Sequence, residues 1–197
     1  MKKEMSNKML ISLSFLAVVV FISLLTISWI WGGYNTFIVA KQDIDNQWSN
    51  IKTEYQRRAD LFYNLVEVTK SYASFEKDTM QKVIEARSGA FKGTKEEQMQ
   101  QMNSLDSVFS RLLLVMEQYP NLKAIEQYNK LFEEVQRTEN RVQIARTDYN
   151  ALIRSYNILI SKFPRNILSG AFGYSQETYF ENSVGTDEAP KLKMEVK

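Results

Sequence analysis

The stretch MLISLSFLAVVVFISLLTISWIW, residues 9–31, decides what class of protein this chain forms. No charged residue occurs between Lys8 and Lys41. An α-helix rises about 1.5 Å per residue, so this stretch is long enough to cross the roughly 30 Å hydrocarbon core of a bilayer. The sequence therefore predicts a short N-terminus over residues 1–8 and one transmembrane helix over residues 9–31, with the lipid bilayer as its partner.

A cleaved signal peptide is the competing interpretation, because three lysines precede the apolar stretch, namely Lys2, Lys3 and Lys8. The apolar stretch is longer than the roughly 7–15 residues of a signal-peptide core. Where a small-x-small cleavage site would follow, the chain has Trp29-Ile30-Trp31, which is typical of the aromatic belt at a membrane surface. The chain also has no cysteine that could carry a lipid. These observations favour a retained anchor.

The same lysines predict the orientation of the anchor. Lysine and arginine near the ends of a span tend to stay cytoplasmic, and only Lys41 lies close on the far side. We therefore expect a single-pass protein of a bacterial plasma membrane, with residues 1–8 in the cytoplasm and residues 34–180 outside it.

Charge and composition narrow the function of the remaining chain. About 165 residues follow the anchor, enough for one domain. The whole chain has a net charge of +2, which the first eight residues supply, so the remainder is neutral and unlike a nucleic-acid-binding surface. The chain has neither cysteine nor histidine, which removes thiolate catalysis, disulfides and the commonest metal ligands. An enzyme of this composition would have to rely on carboxylates, lysine, tyrosine, serine or threonine, and their arrangement gives only a weak catalytic signal. We therefore expect no catalytic residues, no metal and no cofactor, and a protein that is not an enzyme.

Three prolines and seven glycines leave long uninterrupted stretches, which are typical of helices. Apolar residues recur by threes and fours from Tyr34 to Phe62, and again over residues 61–86. Thr94 and Glu97 form a capping-box pattern that predicts the start of a third helix. The third helix should stop before Pro120, which suits the first turn of a fourth helix.

The fourth predicted helix has the most regular pattern and ends at Pro164. Its large side chains predict a seam that packs against partner helices at shallow angles. The expected fold class is all-α: a long antiparallel three- or four-helix bundle over residues 34–180, behind one transmembrane helix. A homo-oligomer is a further possibility. Residues 181–197 are polar and charged with few large apolar side chains, which predicts a disordered tail.

Charged residues interrupt the apolar seams at Arg58, Glu139 and Arg146. An isolated buried charge costs several kcal/mol, so each should find a partner, and Arg58 should reach Glu139 from a neighbouring helix. We favour structural pairing, whereas the alternative is a polar patch that binds a ligand or a partner's peptide. The residues proposed for this patch are Arg57, Arg58, Asp60, Glu139, Arg141 and Arg146.

A glycine-punctuated apolar segment follows Pro164. We expect it to pack on the bundle and to leave apolar surface for a partner protein. The residues proposed for this interaction segment are Ile167, Leu168, Phe172 and Tyr174.

Blocks of residues spread over the chain resemble the LemA family in the same order. Their combination is highly specific and covers nearly everything from Tyr34 to Glu181. The family often has proline at the position of Tyr63, so the first two helices are either kinked there or continuous. The blocks are Trp48-Ser49-Asn50-Ile51, Tyr55-Gln56-Arg57-Arg58-Ala59-Asp60-Leu61, Asn64-Leu65-Val66, Glu85-Ala86-Arg87, Glu117-x-Tyr119-Pro120-x-Leu122-Lys123, Glu139-Asn140-Arg141, Ala145-Arg146-x-Asp148-Tyr149-Asn150, Tyr156-Asn157, Phe163-Pro164 and Phe172-Gly173.

The resemblance implies one membrane span and an all-α antiparallel bundle without a recognised catalytic site. It implies a membrane-anchored, non-enzymatic scaffold or adaptor of the bacterial envelope that binds other envelope or membrane proteins. The alternative is a ligand or peptide receptor that uses the polar patch and serves a neighbouring membrane protease.

Overall fold

A computed structural model describes residues 2–69, 77–88 and 91–180 of the chain. Within these residues the protein is all-α, as predicted, and contains no strand. The tail expected over residues 181–197 lies outside the described residues, as do Tyr72 and Phe75 of the second apolar seam. The helices are α1 (Lys2–Thr69), α2 (Lys77–Arg87), α3 (Lys95–Glu117), a short 3-10 helix (Pro120–Ala124), α4 (Glu126–Ser161) and α5 (Arg165–Phe172).

Helix α1 is continuous over 68 residues, from the apolar stretch through Tyr63. Gly32 and Gly33 do not interrupt it, because glycine inside a helix costs only about 1 kcal/mol relative to alanine. No proline stands at position 63 to remove a backbone donor, so the continuous alternative is the correct one. The second predicted seam is divided: its beginning lies in α1 and its end in α2.

The turn before α3 has the predicted chemistry. The backbone N–H of Glu97 donates to the Thr94 hydroxyl at 3.2 Å, and the backbone N–H of Thr94 donates to the Glu97 carboxylate at 2.8 Å. Both bonds of a capping box are therefore present. The prediction for Pro120 is wrong: this proline begins the short 3-10 helix, and the long fourth helix begins only at Glu126.

The chain divides into two compact units. Unit 1 comprises residues 1–43 and 154–177, and unit 2 comprises residues 44–153 and 178–197. Unit 1 contains the apolar stretch of α1, which is the one described helix long and apolar enough to span a membrane. In unit 1, α5 packs against α1 where Leu168 meets Gly33, and the Ser169 hydroxyl donates to the carbonyl of Ile160 at 2.8 Å.

The core of unit 2 follows the predicted seams. Residues from α1, α3 and α4 interlock, with the Phe62 and Phe109 rings stacked at a centroid distance of 4.2 Å. This apolar contact holds α1 against α3 and positions the charged residues that lie beside it. The buried residues include Ile44, Trp48, Ile51, Tyr55, Phe62 and Leu65 of α1, Met102, Leu105, Phe109 and Leu112 of α3, and Val135, Val142, Tyr149 and Ile153 of α4.

Candidate functional site

Arg58 is the most deeply buried charge among the described residues, with 2% of its surface exposed. It lies one turn from Tyr55 and one turn from Phe62 on the inner face of α1. Its guanidinium carbon lies 4.7 Å from the ring centroid of Phe109, which places the cation against an aromatic face. The aromatic core of unit 2 thus surrounds a cation, and that cation requires counter-charges.

Asp106 of α3 supplies the first counter-charge, and the sequence analysis missed it. Its carboxylate accepts a hydrogen bond from Arg58 Nη1 at 2.9 Å and another from the Tyr55 hydroxyl at 3.0 Å. It also pairs with Arg146 of α4. A signal was present, because position 106 lies four residues after Met102 and three before Phe109, which places it on the buried face of α3.

The second counter-charge is Glu139, whose expected contact with Arg58 is present. The expectation that Glu139 occupies a buried seam position is wrong, because its side chain is 57% exposed. Thr138 is buried in its place and donates its hydroxyl hydrogen to the carbonyl of Val135 at 2.7 Å. Arg58 therefore pairs with a largely buried carboxylate, Asp106, and with a solvent-exposed one, Glu139.

Burial changes the proton affinity of this cluster. Loss of solvation raises the pKa of Asp106 to about 7, while the neighbouring Arg58 opposes that rise. Burial also lowers the pKa of Arg146 to about 10. Both shifts favour the neutral forms of the two groups, as expected where water is excluded.

The polar patch predicted from the sequence is not one surface. Arg58, Glu139 and Arg146 belong to the charged cluster just described, whereas Asp60 pairs with Arg87 at 2.8 Å in a separate, half-exposed ion pair. The remaining two members, Arg57 and Arg141, are exposed.

An extended stretch after α5 packs against Arg146 of the cluster. The ring centroid of Phe180 lies 4.4 Å from the Arg146 guanidinium carbon, and Phe180 itself is buried. The amide side chain of Asn150 makes two hydrogen bonds with the backbone of Phe180, at 2.8 and 3.0 Å. Unit 1 repeats this device, since Asn157 makes two bonds of 2.9 Å with the backbone of Glu177. The two asparagines thus hold this stretch by its backbone.

The predicted interaction segment is exposed only in part. Ile167 and Phe172 are exposed, and Tyr174 is half-buried with its ring 5.1 Å from that of Phe37. Leu168 is buried, so its assignment to the interaction surface is wrong. The cause is the helical period of α5, which turns position 168 inward against Gly33 while position 167 points outward.

No group of three acidic side chains arranged to hold a metal ion occurs in the described parts of the chain. The cluster around Arg58 contains two guanidinium groups and two carboxyl groups that pair with one another. Its arrangement joins three helices and one extended stretch, which is what a structural cluster does.

An apolar helix long enough to span a membrane, followed by long helices that pack around a charged cluster, defines an all-α, membrane-associated protein. The chain belongs to the LemA family, whose profile matches residues 47–194.

Individual relatives match over most of the chain. Magnetosome protein MamQ 2 of Paramagnetospirillum magneticum is 29% identical over 205 residues, covering 90% of this chain and 74% of the relative. Magnetosome protein MamQ of Magnetospirillum gryphiswaldense is 25% identical, with coverages of 91% and 74%. Protein LemA of Metamycoplasma hominis is 26% identical over 140 residues, covering 70% of this chain and 64% of the relative. The apolar helix and this kinship together support membrane anchoring of the chain.

Proposed function

We propose that this protein is a membrane-anchored, non-enzymatic scaffold or adaptor of the bacterial envelope. One observation carries the proposal: the charged groups of the cluster around Arg58 pair with one another, and Phe180 packs against Arg146. A catalytic or binding cluster keeps reactive groups open to a ligand, whereas here the groups face each other. The cluster therefore supports a structural role that fixes α1, α3 and α4 in register.

The relatives support a role at a membrane. The matches with the MamQ proteins cover about nine-tenths of this chain. These relatives are named as magnetosome proteins, and we infer for this chain a role among proteins associated with a membrane.

Partner proteins are expected on the exposed apolar residues of unit 2. Leu114 of α3 and Ile144 of α4 are 60% and 59% exposed. Replacing either with a photocrosslinking phenylalanine in the full chain should yield a discrete protein adduct in intact cells that saturates with expression. Arg137 of α4 provides the matched control, since it is exposed and forms ion pairs within its own helix. Equal adducts at all three positions, or none at Leu114 and Ile144, would contradict the scaffold proposal.

A receptor remains the second candidate, and one observation favours it. A cleft of about 600 Å³ in unit 2 is lined by Lys82, Glu85, Phe91, Lys92 and Gln101 among others, which combine charge with an aromatic ring. A receptor would use this cleft rather than the cluster around Arg58, whose charged groups pair with one another. Binding of a peptide library to the full chain that is lost with Lys82→Glu, and kept with Arg137→Glu, would replace the scaffold by the receptor.

We propose that the N-terminus is cytoplasmic, on the basis of the lysines that precede the anchor. A phosphatase fused after Phe180 should be active outside the cytoplasm. An inactive phosphatase, with a cytoplasm-dependent reporter active at the same site, would reverse the orientation without affecting the other proposals.

A further inference from the structure

Unit 1 exposes large apolar side chains around α5. Phe163, in the turn before α5, is 75% exposed, while Ile167 and Phe172 of α5 are 60% and 46% exposed. Exposed apolar surface of this kind marks an interaction site for a protein or a membrane.

The position of α5 along α1 identifies the partner. Leu168 packs where a side chain on Gly33 would stand, with 2.7 Å between its Cδ1 and an ideal Cβ there, and the ring of Phe172 lies 5.0 Å from that of Tyr34. Gly33 follows Trp31 by two residues, which corresponds to about 3 Å along a helix. Helix α5 therefore lies at the level where the apolar stretch ends.

An apolar recess connects the two surfaces. It has a volume of about 360 Å³ and is lined by Ile27, Ile30, Trp31, Tyr34 and Phe172. Phe172 of α5 and the end of the transmembrane stretch thus line one recess, and lipid that surrounds the stretch would also contact α5.

The charges of this region fit a lipid headgroup layer. Between residues 154 and 176 the chain has Arg154, Lys162 and Arg165 and no acidic residue. The next acidic residue, Glu177, pairs with Lys41. Lysine and arginine beside an apolar helix face attract anionic headgroups while the apolar face enters the acyl boundary.

We propose that α5 is an interfacial helix that lies in the headgroup region of the bilayer in which α1 is anchored. Phe163, Ile167 and Phe172 enter the acyl boundary, and Lys162 with Arg165 contacts anionic headgroups. The surface that the sequence analysis assigned to a partner protein is therefore assigned to lipid, and it fixes the height and rotation of unit 1 at the membrane.

The absence of cysteine from the chain allows a direct test. Full-length Ile167→Cys, labelled with an environment-sensitive fluorophore, is reconstituted in vesicles of phosphatidylcholine and phosphatidylglycerol. Ile144→Cys, an equally exposed isoleucine of α4, is the matched control. We expect lipids brominated on their acyl chains to quench the label at 167 several-fold more than the label at 144, and aqueous iodide to show the reverse order.

The other possible occupants give different results. Equal quenching by iodide at both positions would overturn the proposal, because α5 would then face water. Protection of the label at 167 from both iodide and brominated lipid would also overturn it, since a second copy of the chain would cover the surface. Lipid quenching that falls in the Lys162→Gln/Arg165→Gln variant in anionic vesicles, but not in pure phosphatidylcholine, would support the headgroup contacts.

Discussion

The two units differ in which kind of side chain they expose and which kind they bury. In unit 1 the apolar stretch of α1 is exposed, with Phe15 at 71%, whereas in unit 2 the charged Arg58 is only 2% exposed. A protein surrounded only by water would show the reverse arrangement. Unit 1 suits a lipid environment, in which an exposed phenylalanine is stable. Unit 2 suits water, and its buried cation needs counter-charges to offset the loss of hydration.

Each unit should therefore be sensitive to substitution at a different kind of position. Unit 2 depends on charges that are costly to leave unpaired, so a change of one charged side chain should have a large effect. Unit 1 depends on the close approach of α5 to α1, which a small residue at Gly33 permits. A change there should have a smaller effect that is confined to α5.

The largest effect is expected for Arg58→Ala. This change removes a donor from Asp106 and empties the space beside Phe109, so we expect the free energy of unfolding to fall by about 3–5 kcal/mol. Chemical denaturation of the full chain in detergent micelles, followed by circular dichroism, measures it.

Two controls separate burial from charge alone. Arg57→Ala, on the exposed neighbouring position, should change stability by no more than about 0.5 kcal/mol. Glu139→Gln should cost less than about 1 kcal/mol, because this carboxylate lies in water although it pairs with Arg58. A loss for Arg57→Ala as large as that for Arg58→Ala would show that the cluster is not a structural centre.

Local sequence patterns were sufficient to predict the long apolar helix, the helical seams and the capping box at Thr94, because each depends on residues close together in the chain. Periodicity was insufficient at position 139. From Val135, a step of three reaches Thr138 and a step of four reaches Glu139, and both steps fit a helix of 3.6 residues per turn. Only the packing of neighbouring helices decides which of the two turns inward, and the structure buries Thr138.

Long-range partners were beyond the reach of periodicity. Asp106 lies 48 residues from Arg58 and 40 from Arg146 in the sequence, so no local pattern connects the three. The same holds for the bonds of Asn150 to the backbone of Phe180, 30 residues away. The sequence therefore predicted the two cations of the candidate site, Arg58 and Arg146, but not Asp106, the carboxylate that pairs with both.

Asp106 should make the stability of unit 2 depend on pH. An aspartate in an unfolded chain has a pKa of about 3.9, whereas burial raises the pKa of Asp106 to about 7. Between these values the folded protein holds a proton that the unfolded chain has released. The contribution of Asp106 to stability is therefore fully present below about pH 4 and is lost as the pH rises through about 7, at about 1.4 kcal/mol per unit of pKa shift.

The variant Asp106→Asn isolates this contribution, because it removes the titration and keeps the shape of the side chain. Stability measured by denaturation across that pH range should fall more steeply for the wild type than for the variant. A wild type that gains stability with pH relative to Asp106→Asn would show that the two guanidiniums outweigh burial at this carboxylate.

The smallest effect is expected from two adjacent glycines of α1, and it tests the lipid-facing unit. Nothing lies within 4 Å of a Cβ added to Gly32, whereas a Cβ on Gly33 would come within 2.7 Å of Leu168. Gly32→Ala should therefore stabilise the helix by about 0.5–1 kcal/mol through the loss of backbone freedom in the unfolded chain. Gly33→Ala should lower the free energy of unfolding by about 1 kcal/mol relative to Gly32→Ala, because Leu168 must move away.

Hydrogen exchange of the α5 amides in vesicles should be faster for Gly33→Ala and unchanged for Gly32→Ala. Identical exchange in the two variants would mean that the contact between Leu168 and Gly33 does not hold α5 in place.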